Sequence, residues 1–311
     1  MSAAAAQTAL LAGRFAQYLA AALLFGAPLF GLYALRGEAV GGRMVRQLAL
    51  LALAVAGAAA WLVLMGQAAA MTGDPAGALS PAAWLEVLSG SQFGRAWLVR
   101  LGLIVATAAA VLRRSSRWTY LPMAVTGGLL LASLAWMGHG AADEGARGLV
   151  HLVADVAHLL AAGAWLGALV PLTILVDRAA RASGAALSGV ACRALERFSG
   201  VGSAVVAALV LSGLVNGGFL LGASFPASLA VTRYGRVLLA KLAMFVAMLG
   251  LAALHRWRSV PRLARAVDFA ETAPPELRGL TASLALETAL GFGVMALVAW
   301  LGVIEPPIDL G

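Results

Sequence analysis

The stretch His151-Leu-Val-Ala-Asp155-Val-Ala-His158-Leu-Leu-Ala-Ala-Gly-Ala-Trp165-Leu-Gly167-Ala-Leu169-Val-Pro171 lies inside a long apolar run. A helix turns about once every 3.6 residues, so positions 151, 155, 158, 162 and 165 share one stripe. Two imidazoles and a carboxylate therefore line one face of a segment otherwise built for lipid. Ionisable groups at membrane depth are costly and mark function by default.

The flanking sequence has the same character. Of 311 residues, 62% are hydrophobic and 12% charged, with a mean hydropathy of +0.91. A soluble chain carries about a quarter charged residues. Repeated apolar runs of about 18 residues or more are transmembrane helices. The sequence predicts an all-α polytopic membrane protein of eight spans, at about 14–35, 45–71, 96–112, 118–138, 148–176, 198–222, 235–255 and 280–303. These form one domain over 1–311, with four spans in 1–138 and four in 148–303. Pro171 is expected to kink the end of the fifth. The Ala-rich residues before Arg14 read as the lead into the first span rather than a cleaved signal.

A pI of 10.9 invites a nucleic-acid reading, but the basic residues, 21 of 22 of them arginine, sit mostly in short loops. Fifteen arginines fall on the side of the loops after spans 1, 3, 5 and 7, and six on the other. The positive-inside rule then puts both termini outside, which the acidic Glu305 and Asp309 fit. His139, at the end of span 4, and His151, at the start of span 5, lie near the outer mouth. Asp155 lies about 6 Å deeper than His151 and His158 about 10 Å deeper. His255 stands apart, at the inner end of span 7 among arginines.

Two segments match each other. Phe93-Gly94-Arg95 with Arg100, and Tyr234-Gly235-Arg236 with Lys241, each open an inward-running span, which predicts a parallel 4+4 internal repeat. Arg100 and Lys241 start only about 8–9 Å inside, so both are expected to snorkel to the outer headgroups. Glu287 lies about two turns inside span 8 and needs a partner, a cavity or a proton. Asn216 reads as helix packing or a polar lining, and Trp165 as packing or part of a path.

Histidine, methionine and a carboxylate at an outward mouth suggest a metal. Thioether selects Cu(I), and imidazole suits copper and zinc. The candidate ligands are Met65, Met71, Met137, His139, His151, Asp155 and His158. Cys192 is the single cysteine, so no thiolate trap or internal disulfide exists. A weak site suits passage, because a transported ion must also leave.

The 151–169 stretch resembles the central signature of the bacterial copper resistance protein CopD (PcoD) family. Further segments agree in order: Arg197-Phe198-Ser199, Val210 to Gly213 and Asn216, Tyr234-Gly235-Arg236 with Lys241, Arg256 to Leu263, Glu287, Leu301-Gly302 and Pro306-Pro307. The likeness holds from about residue 135 onward and is looser over the first hundred residues. It implies an eight-helix inner-membrane protein that moves copper from periplasm to cytoplasm, with a CopC-like carrier expected as a separate chain.

Three functions compete. A copper permease, with Cu(I) favoured over Cu(II), would use Met137, His139, Met71 and His151 as entry, Asp155 and His158 within, and a path past Glu287. No nucleotide-hydrolysis motif is present, so it would follow a gradient or couple to protons at Glu287 or Asp155. A b-type haem electron carrier would need two facing histidines at one depth, such as His158 and His139. A scaffold would pass copper to a partner without transport. No enzymatic constellation is expected.

Overall fold

The computed structural model describes residues 3–113, 120–137, 145–182, 185–221, 229, 231–268 and 275–304. Among these the chain is helical throughout. Helix α1 spans Ala3–Phe30 and runs through a π turn to Leu35; α2 spans Ala39–Thr72, α3 Pro81–Gly90, α4 Gln92–Leu112 and α5 Tyr120–Ala132. After these come α6 (Gly145–Arg181), α7 (Ala185–Leu221), α8 (Arg233–Leu254), α9 (Val260–Asp268) and α10 (Glu276–Leu301). In lipid the backbone must satisfy its own polar groups, which is why every apolar run becomes a helix.

Seven helical stretches are long and apolar enough to cross a membrane: Thr8–Leu35, Val40–Thr72, Gln92–Leu112, Gly145–Arg181, Ala186–Leu221, Arg233–Ala266 and Glu276–Leu301. Tyr120–Trp136 is apolar but shorter, ending in a 3-10 turn at Ser133–Met137. Three stretches run well past their predicted ends. The fifth continues through Pro171 to Arg181, the sixth begins at Ala185, and α8 passes through a π turn at His255–Ser259 into α9.

Helices α1 and α6 are the most enclosed, with 61% and 67% of their apolar windows buried, against 17% for α7 and 11% for α8–α9. Their contact is made by small residues. A side chain on Gly26 would strike the Gly163 carbonyl and the Gly167 backbone, and one on Gly167 would strike Ala22 and Gly26. Close backbone approach of this kind drives helix association where the surrounding lipid is as apolar as the protein. Helices α2, α4 and α5 pack around the α1 side, and α7, α8 and α10 around the α6 side.

The two ends of the bundle differ. At one end Arg14 donates to the Gly302 carbonyl (2.7 Å), so the start of α1 meets the end of α10. Arg233 lies over the Trp300 ring at the same end. The other end holds Arg193 paired with Glu38 (2.9 Å), Arg197 on the Ala34 carbonyl (2.6 Å) and Arg256 on Ser199 and Ser203.

Helix α3 is absent from the sequence reading. Ser80 caps it and Pro81 occupies its first turn, while Ser91 caps α4 by accepting from Gly94 (2.9 Å). Trp84 of α3 and Trp97 of α4 both pack edge-on to Trp61 of α2, at 5.8 Å between ring centroids.

The expected snorkelling of Arg100 is corrected. Its side chain is 2% exposed and donates to the Ser133 hydroxyl (3.3 Å) and carbonyl (3.0 Å). The 3-10 turn that ends α5 brings those acceptors to Arg100, and a satisfied guanidinium has no need of the headgroups.

Candidate functional site: a polar ladder between α6 and α7

The α6 stripe faces α7 in constant antiparallel register. His151 meets Phe219, Asp155 meets Asn216 and His158 meets Ser212, each step down one helix matched by a step up the other. Three polar or ionisable groups of one helix therefore fall on one neighbour.

His151 is 3% exposed and stacks on the Phe219 ring, 4.5 Å between centroids and 4° between planes. Arg147, one turn earlier, places its guanidinium 5.3 Å from the same ring. The histidine at the helix entrance is thus held inside the protein rather than solvated.

Asp155 accepts from the Asn216 amide nitrogen at 3.4 Å, while Asn216 Oδ1 is buried without a hydrogen-bond partner. His151 and Lys241 lie within electrostatic reach of Asp155. Asn216 faces Asp155 across the α6–α7 contact. Lys241 is half-buried on α8.

His158 shares a 3.0 Å hydrogen bond between Nδ1 and the Ser212 hydroxyl. The Ser212 hydroxyl also donates to the Ala208 carbonyl, and the His158 ring has a further hydrogen-bond partner in the Leu209 backbone. Gly213 lies against the same ring, at ordinary van der Waals distance for an added side chain (3.5 Å).

Seven residues beyond His158, about 10 Å further along α6, Trp165 donates to Glu287 Oε1 at 2.9 Å. Glu287 is fully buried on α10. Its Oε2 lies 3.2 Å from His255 Nδ1, within ion-pair reach but not aligned as a hydrogen bond. His255 Nε2 contacts the Ser283 hydroxyl at 2.7 Å. The Glu287 carboxyl group thus has a polar neighbour at each oxygen, and one of them is the histidine set apart in the sequence.

Other candidates fall elsewhere. Met65 is half-buried and Met71 is 48% exposed, both on α2, which packs mainly on α1 and α4. Among the described residues no hydrogen bond or ion pair links either to the ladder. His139 and the Met137 side chain lie outside the described residues, as do Glu305 and Asp309. Among the described residues no three His, Cys, Asp or Glu side chains form a ready-made metal cage. The ladder offers its groups singly, at successive depths.

Phe219, Ser212 and Ser283 were not singled out in the sequence as site residues, and His255 was noted only as standing apart among arginines. Ser212 and Phe219 lie on the same apolar span as Asn216, four before and three after it, a helical spacing that could have flagged them.

Enclosed polar groups inside a bundle of apolar, membrane-length helices define a multi-pass membrane protein. The family models for the copper resistance protein D-like N-terminal domain and for copper resistance protein D match residues 3–149 and 192–301. The chain is 37% identical to "Copper resistance protein D" of Pseudomonas syringae pv. tomato, over 97% of this chain and 98% of that protein. It belongs to the copper resistance protein D family. It is also 30% identical to "Inner membrane protein YebZ" of Escherichia coli K12, over 73% of each chain. To "Copper transport protein CutJ" of Bacillus subtilis 168 it is 30% identical, over 93% of this chain and 51% of that longer protein. No solved structure matches it. The likeness reaches further toward the N-terminus than the motifs indicated.

Proposed function

We propose that this protein is a copper permease of the bacterial inner membrane, moving copper ions from periplasm to cytoplasm. The observation that carries the reading is the α6–α7 ladder. His158 stands against Ser212 at one depth, and Asn216 Oδ1 is, among the described residues, a buried acceptor without a hydrogen-bond partner beside the Asp155 carboxylate. An imidazole nitrogen and two oxygens at successive depths bind a cation weakly enough to release it. The names of two relatives, copper resistance protein D and copper transport protein, support copper as the cargo.

In this reading eight spans cross the membrane, Tyr120–Trp136 being the eighth. Both termini are periplasmic, and the arginine-rich end faces the cytoplasm. Met65, Met71, Met137 and His139 serve the outer approach, where thioether favours Cu(I). A CopC-like carrier, as a separate chain, delivers the ion to that face. No covalent reaction is catalysed.

The test is copper uptake by the purified protein in sealed vesicles supplied with Cu(I) from outside. Wild type fills the lumen with copper and His158→Ala does not, while the variant keeps its unfolding temperature. Wild-type uptake no faster than empty vesicles refutes transport and leaves a delivery scaffold. A Soret band in the purified protein points instead to haem.

A further inference from the structure

His255 engages both ring nitrogens, Nδ1 facing Glu287 and Nε2 facing Ser283. A metal-binding imidazole needs one nitrogen free for the ion. An imidazole held between a carboxylate and a hydroxyl is instead arranged to accept a proton on one side and lose one on the other. Glu287 is fully buried and His255 is 6% exposed, whereas Ser283 is half-buried and lies one turn nearer the start of α10. The three groups thus step from the bundle interior toward the arginine-rich end. His255 also opens a π turn, a local widening found frequently at functional sites.

The surroundings leave the chain of groups isolated. Among the described residues, His255 is the one titratable group in contact with Glu287. From α6 come the Trp165 indole and, a turn or two on, Thr173, which pairs with Thr288. From α8, Phe245 packs on Trp165. Beside His255 in sequence, Arg256 is turned away to Ser199 and Ser203, and Arg258 is exposed.

We infer that Glu287, His255 and Ser283 form a proton relay joining the interior of the copper path to the cytoplasmic face; this rests on the transport reading above. A copper cation arriving past His158 brings positive charge toward Glu287. The carboxylic acid then gives its proton to His255 Nδ1 after a small ring rotation. His255 passes its Nε2 proton to Ser283, which releases its own to water. When the cation leaves, the same steps run backward and Glu287 is reprotonated. Each group gains one proton and loses one, and no redox step occurs.

The experiment is uptake of Cu(I) into sealed vesicles at fixed external pH, with lumenal pH varied. The relay requires that wild-type uptake depend on lumenal pH. Glu287→Gln and His255→Gln abolish that dependence, and His255→Gln slows uptake about tenfold or more, since a positioned side chain no longer transfers the proton. Ser283→Ala, at a half-buried position that tolerates truncation, weakens the dependence. Cu(I) titration in detergent stays as in wild type for His255→Gln and Ser283→Ala, because the α6–α7 ladder is untouched. A second readout is infrared difference spectroscopy on adding Cu(I), where loss of a protonated-carboxyl band, absent from Glu287→Gln, is expected. Wild-type uptake indifferent to lumenal pH overturns the relay and leaves copper transport standing. Unchanged dependence in His255→Gln and Ser283→Ala also overturns it. Absence of wild-type uptake overturns the transport reading itself.

Discussion

The Trp165 indole donates to a Glu287 oxygen over 2.9 Å, fastening the middle of α6 to the middle of α10. The carboxylate has no exposed surface, so this bond cannot be replaced by water. Removing one partner of a buried bond leaves the other unsatisfied, at about 1–3 kcal/mol. Trp165→Phe keeps most of the ring volume and loses the donor. It is expected to lower unfolding stability in detergent by that amount, while Trp257→Phe, at a 72% exposed ring, leaves it unchanged. Equal stability of the two variants would show that the Trp165–Glu287 bond contributes nothing.

Ser212 shares a 3.0 Å hydrogen bond with His158 Nδ1 and so orients the ring. Partners that orient a metal-ligating histidine change metal affinity by about 10–100-fold. Ser212→Ala should therefore weaken Cu(I) binding by about that factor, read by competition with a chromogenic chelator, with little change in unfolding temperature. Undiminished affinity would remove His158 from the binding path.

The α1–α6 contact depends on glycine. Gly167→Ala places a methyl against the Ala22 carbonyl and Gly26, and overpacking of this kind destabilises by about 1–3 kcal/mol. Gly57, also inside a long helix, has nothing within 4 Å of its would-be side chain. Gly57→Ala should be neutral or slightly stabilising. Thermal unfolding of the two variants side by side checks the contrast, and comparable losses in both would argue against the interlock.

Topology can be read with fusions. With a periplasmic C-terminus, alkaline phosphatase fused after Gly311 is expected to be active and a fluorescent protein at the same point dark. The opposite pattern would invert the bundle and exchange the entrance with the relay.

The helical class was legible because apolar runs of membrane length leave the backbone no other solution. The α6 stripe was legible because helical periodicity alone places 151, 155, 158 and 165 together. What it faces was not, since the register of α6 on α7 is set by packing between distant segments. Glu287 announced its need for a partner, yet His255 was read as one more residue of the arginine-rich end. The helix was expected to stop at 255, whereas it runs on through the π turn and carries His255 into the interior. Arg100 misled for a similar reason. Its depth suggested escape to the headgroups, and only the 3-10 turn at Ser133 shows how it is satisfied inside. The methionines of α2 carried the right chemistry for a soft cation, but sequence alone could not tell that α2 lies mainly against α1 and α4.

The glycine seam between α1 and α6 also divides the molecule mechanically. With their backbones in contact at Gly26, Gly163 and Gly167, these two helices form a stator, and His151, Asp155 and His158 are mounted on it. On α7, by contrast, a side chain at Gly200, Gly202, Gly217 or Gly218 would meet no protein atom within 4 Å. In the proposed transport reading, opening and closing around an ion therefore falls to α7 rather than to the α1–α6 pair.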